Sequence, residues 1–74
     1  MINIQDIIPF MKKGWVAMDK NGVWVWYSQK PVLKLHRGKF VYTIYNTGDI
    51  CPLNGFDIAP ADDWTKTLIK VGGK

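Results

Sequence analysis

The sequence predicts a mainly β fold (α+β at the margin): a compact antiparallel curled sheet or small barrel of about five strands, with a short N-terminal helix. Three observations point there. The run Trp15-Val-Ala-Met-Asp-Lys-Asn-Gly-Val-Trp-Val-Trp-Tyr27 joins two β-prone segments through a turn. All six acidic residues are Asp, so glutamate, a strong helix former, is absent. Single glycines at 14, 22, 38, 48 and 55 stand at turn positions.

Seventy-four residues make one domain, 1–74, with 72–74 expected as a frayed tail. A chain of this size buries only ~60–65% of its unfolded surface, so its core is modest. Apolar residues at 47% argue against disorder, and four Trp supply large units of burial.

Taken in order, Asn3 is placed to cap a short helix, with Asp6 three residues on. Ile4, Ile7, Ile8 and Met11 recur at helical spacing. Pro9 prevents a long helix, and Lys12-Lys13-Gly14 suits its end, with Gly14 as the cap. In the hairpin, Lys20-Asn21-Gly22 forms a three-residue loop of a type I turn with a glycine bulge. The pairs are then Asp19–Val23, Met18–Trp24, Ala17–Val25, Val16–Trp26 and Trp15–Tyr27. One face carries Val16, Met18, Trp24 and Trp26. The other carries Trp15, Ala17, Val23, Val25 and Tyr27. Both are apolar, whereas a half-solvated hairpin alternates apolar with polar. Either both faces are covered, or one is an aromatic surface kept for a partner.

A third strand is expected over 32–35 and a fourth over 40–45, turning at Arg37-Gly38. That register sets His36 against Lys39, Leu35 against Phe40 and Leu33 against Tyr42. Residues 46–55 read as a loop rich in breakers. Phe56-Asp57-Ile58 reads as a short strand. Pro60 and the Asp62-Asp63 pair mark a helical first turn ending near Trp64. β-branched Thr65, Thr67, Ile69 and Val71 then favour a closing strand, although Trp64, Leu68 and Val71 also fit helical spacing. The expected core is Ile7, Trp15, Ala17, Val25, Leu33, Leu35, Phe40, Tyr42, Ile44, Phe56 and Trp64. Ile7, strands three and four, and Phe56 are expected to cover the Trp15/Val25/Tyr27 face.

No catalytic signature emerges. Asp62-Asp63 lacks further ligands, and a helix start accounts for it. Cys51 and His36 are not placed together by any pattern, and the lone cysteine reads as a small hydrophobe. The glycines form no phosphate-binding loop. No metal site and no cofactor are expected, and the chain does not read as an enzyme. The single cysteine, the lack of a secretory signal and the lack of a long apolar run point to a soluble protein of a reducing cytosol, with no membrane partner. A net charge of +4 makes it basic and permits nucleic acid.

The run from Lys13 through Tyr27, followed by Lys30-Pro31, resembles a group of small phage- and prophage-encoded proteins of unknown function. So do Phe56-Asp-Ile-Ala-Pro-Ala-Asp-Asp-Trp64 and Leu68-Ile-Lys-Val-Gly72. The resemblance covers about half the chain and leaves 32–55 unmatched. It implies a small accessory protein made in a bacterial host, of a kind that often binds a host protein such as a defence or regulatory factor.

Two functional surfaces are therefore expected. The first is a protein-binding face of Val16, Met18, Trp24 and Trp26, taking a host or phage protein or a second copy in a homodimer. The alternative is a single-stranded nucleic-acid surface of Lys30, Lys34, Arg37, Lys39 and Tyr45, in which aromatic rings stack on bases and cations track phosphates.

Overall fold

The computed structural model describes residues 1–34, 39–41 and 48–72, with the backbone alone for 33, 34 and 39–41. Four antiparallel strands form one open, curled sheet, and a short N-terminal helix lies outside it. The strands are β1 (Gly14–Met18), β2 (Trp24–Tyr27), β5 (Ile50–Pro52) and β6 (Ile69–Val71), ordered β5-β2-β1-β6. Strands β3 (Val32–Lys34) and β4 (Lys39–Val41) pair separately as a second ladder.

The hairpin at the centre has the expected register, Trp15 opposite Tyr27 through Met18 opposite Trp24. Its loop closes as turn chemistry requires. Gly22 N–H donates to Asp19 C=O at 2.9 Å, and Asp19 N–H donates to Val23 C=O at 2.9 Å. Gly22 carries the positive φ of 88° that a side chain would resist. Asn21 Oδ1 accepts from Val23 N–H at 3.0 Å and locks the turn from within.

The hydrogen-bonding direction alternates along each strand. On β1, Asp19 bonds towards β2, while Met18 bonds the other way, to the Thr67 hydroxyl at 2.8 Å. Thr67 thus continues the β1–β6 ladder with a side chain, two residues before β6 begins. It is the buried polar residue among those described.

Local chemistry sets the N-terminal segment. Asn3 caps the helix α1 (Ile4–Ile7) by accepting from Gln5 N–H at 2.9 Å. Pro9 sits in the first turn of a 3₁₀ helix at Ile8–Phe10, where its missing N–H costs nothing. Ile2 forms a parallel bridge with Ile58 and so straps the chain start to 57–59. Asp63 caps a second 3₁₀ helix, Trp64–Lys66, by accepting from Thr65 N–H at 3.0 Å.

Several expectations are corrected. Residues 46–55 are not all loop, because β5 pairs with β2 through Val25–Pro52, Trp26–Cys51 and Tyr27–Ile50. Phe56-Asp57-Ile58 is not a strand beyond the single bridge at Ile58. The β3–β4 register pairs Leu33 with Phe40 and Lys34 with Lys39, two residues away from the expected one. An even slip keeps the parity of the pairing, so the hydrophobic alternation could not distinguish the two registers. Gly14 is no helix cap, since it opens β1.

The largest correction concerns which face is the core. The expected exposed face is the main core: Val16 is 0% exposed, Met18 4% and Trp24 4%. Ile4, Leu53, Ile58 and Val71 are buried with them, and Ile7, Ile8 and Met11 pack against the cluster. Ile7 therefore covers the Val16/Trp24 face and not the opposite one. Ala17, Val25 and Tyr27 are buried on the second face, against Trp15, Val23, Trp64 and Leu68. Phe56, expected in the core, is 57% exposed. The expected core positions Leu35, Tyr42 and Ile44 lie outside the described residues, as do the side chains of Leu33 and Phe40.

Candidate functional site

Of the four residues expected to form a binding face, only Trp26 reaches the surface; Val16, Met18 and Trp24 are interior. The reason is local. Trp24 Nε1 donates to Ala59 C=O at 3.2 Å, and Met18 Sδ accepts from Ala61 N–H at 3.2 Å, so the 59–61 segment closes over both side chains. Trp26, two residues on along the same face, lies beyond that cover.

Trp26 is held in a defined pose. Its Nε1 donates to Lys12 C=O at 3.1 Å. Its ring passes over Gly14, where a Cβ would come within 2.8 Å of the ring carbons and would also collide with the Tyr27 carbonyl oxygen. Glycine at 14 leaves the space that the indole occupies beside β1.

Beside Trp26 is a hollow of about 310 Å³ lined by Met11, Lys12, Trp26, Cys51 and Leu53. A second hollow of about 240 Å³ is lined by Ile7, Phe10, Met11, Leu53 and Phe56. Met11 and Leu53 wall both, so the two form one apolar groove. Leu53, buried, is anchored by its N–H to Trp24 C=O at 2.8 Å. Phe10 stands 89% exposed at the far end, with half-exposed Phe56 beside it. Among the described residues, Lys12 is the one charged side chain lining either hollow, and no ion pair to it occurs. Sequence reasoning missed Phe10. Its signal was an aromatic residue lying off the Ile4/Ile7/Ile8/Met11 stripe, on the side of the helix where a polar residue belongs.

The basic surface is only partly in view. Lys30 is exposed, and its Nζ lies 5.5 Å from the Trp15 ring centroid. Lys70 Nζ approaches the same ring at 5.9 Å. Two cations share one half-buried indole, an arrangement sustained by cation–π attraction. The side chains of Lys34, Arg37, Lys39 and Tyr45 lie outside the described residues.

The acidic pair divides. Asp62 is exposed, while the Asp63 carboxyl is held below its usual range, first by the Thr65 hydroxyl and then by the Thr65 backbone N–H and the nearby Lys66 charge. Its task is capping. Cys51 is exposed in the groove wall, and His36 lies outside the described residues. No group of three or more potential metal ligands occurs among the described residues, and no described helix is long and apolar enough to cross a membrane. No protein-family model, curated protein or solved structure matches the chain.

Proposed function

We propose that the chain is a small non-enzymatic protein-binding module, of the phage-accessory kind its sequence resembles, and that it docks a host or phage protein in the groove running from Trp26 to Phe10 and Phe56. The exposure of Phe10 carries this reading. Burying a Phe side chain gains ~1.5–3 kcal/mol, and here that gain is left for a partner to collect. Trp26 is pre-positioned by its hydrogen bond and by Gly14, so it contributes area at little entropic cost. Aromatic anchors beside a preformed hollow are the usual centre of an interface. A net charge of +4, with Lys12 and Lys13 exposed, favours a partner with acidic groups around an apolar contact.

The test is site-specific photo-crosslinking in host cells. A photoreactive phenylalanine analogue at position 10 or 56 should trap the same protein, and Trp26→Ala should abolish both adducts. The same analogue at Lys20, at the hairpin tip, should trap nothing in common. A homodimer adduct would identify a second copy as the partner. Unrelated adducts from positions 10 and 56 would remove the groove as a docking site.

A second reading rests on Trp15. An indole flanked by two lysines presents stacking and phosphate-binding groups together, as single-stranded nucleic-acid binders do. It predicts micromolar or tighter binding of an oligonucleotide that weakens steeply with salt and is lost in Trp15→Ala. A polarisation titration flat at low salt would remove it.

A further inference from the structure

The groove is bordered by the outer edge of β5, and that edge has a defined hydrogen-bonding pattern. Ser28 N–H donates to Asp49 C=O at 3.0 Å, and Leu53 N–H donates to Trp24 C=O at 2.8 Å. Residues 49, 51 and 53 therefore direct their backbone groups at β2. Ile50 N–H and C=O and Pro52 C=O point the other way, out of the sheet. All three residues of β5 are exposed. Proline has no N–H to offer, and at position 52 that lack falls on the outward side, where the ladder to β2 loses nothing. It also restricts what can pair there, because an incoming strand meets a donor and an acceptor at Ile50 and only an acceptor at Pro52. Cys51 stands opposite Trp26 in register and shares its face. Among the described residues no strand pairs with that outer edge, and a residue placed beside Cys51 across it would sit over the hollow walled by Trp26, Met11 and Leu53.

Resting on the protein-binding reading, we infer that the partner's contact is an extended segment that adds to the β5 edge at Ile50, sets an apolar side chain in the hollow beside Trp26 and brings an acidic side chain to Lys12. Main-chain bonds fix such a strand in place, and the pocket under alternate side chains selects its sequence. The acidic preference follows from Lys12, the one cation among the described residues of an otherwise apolar wall.

The probe is a short peptide selected from a random displayed library on the intact protein. Selected peptides should carry an apolar residue at every second position, with Asp or Glu nearby. Synthetic versions N-methylated at one set of alternate amides should bind tenfold or more weakly (about 1.4 kcal/mol), while methylation of the other set leaves affinity within about twofold. Ile50→Pro should weaken binding in the same way, since position 50 makes no bond to β2. The methylated probes read the edge on the unaltered protein, so the test survives even if that variant folds poorly. Peptides lost in Trp26→Ala but indifferent to both methylation sets would overturn strand addition and leave the groove standing. A library that gives no binder, or only binders indifferent to Trp26→Ala, would overturn both.

Discussion

Three residues show how single groups decide this structure. Thr67 accepts from Met18 N–H and has Trp64 C=O 2.8 Å away and Met18 C=O 3.3 Å away for its one proton. Thr67→Val keeps the shape and strands a buried N–H, at a cost of about 1–3 kcal/mol in urea unfolding, and Thr67→Ser should recover most of it. Gly14→Ala forces a methyl into the Trp26 indole and the Tyr27 carbonyl. It should cost about 1–3 kcal/mol and shift tryptophan emission as the ring is displaced. Asp63 has a folded pKa lowered from 3.8, so its contribution is present above that value and is lost as pH falls through the folded pKa. The melting-temperature gap between the natural chain and Asp63→Ala should therefore be widest near neutral pH and narrow in acid.

At the scale of elements, legibility followed how local the determining physics is. The β1–β2 hairpin was readable to the residue because Asp19, Asn21 and Gly22 set its turn within a few positions. The Asn3 cap and the Pro9 break were readable for the same reason. Strand β5 was not. Ile50-Cys51-Pro52 sits among loop formers and contains a proline, and only its place at a sheet edge, set by β2, makes it a strand. The candidate site failed on a similar point. Two apolar faces of one hairpin look alike in sequence. What made Trp24 interior and Trp26 accessible was the reach of the 59–61 segment, some thirty-five residues away from Trp24. Phe56 exchanged places with Met18 and Val16 because composition shows how much apolar surface exists, not which part a distant segment covers.

For the molecule as a whole, the distinction between core and groove is measurable. Trp24→Ala empties the centre of the larger cluster and should cost ~3–5 kcal/mol, enough to unfold much of a domain this small. Phe10→Ser should leave stability within about 0.5 kcal/mol, as thermal or urea unfolding will show, because the side chain is almost wholly in solvent. A variant that keeps its fold and loses its partner is then a Phe10 variant, and a double substitution at Trp24 and Trp26 would confuse the two effects.

The neighbours of β1 also set a timetable. One side of the strand is paired through the turn that joins Asp19 to Val23, and the other through Thr67, forty-nine positions from Met18. Closing the longer loop costs about 2 kcal/mol more chain entropy than closing the shorter one. The hairpin is thus poised to form early, and the β1–β6 seam to form last. Refolding should be correspondingly slow for so short a chain, in milliseconds to seconds. Weakening the seam at Thr67 should speed unfolding far more than it slows folding.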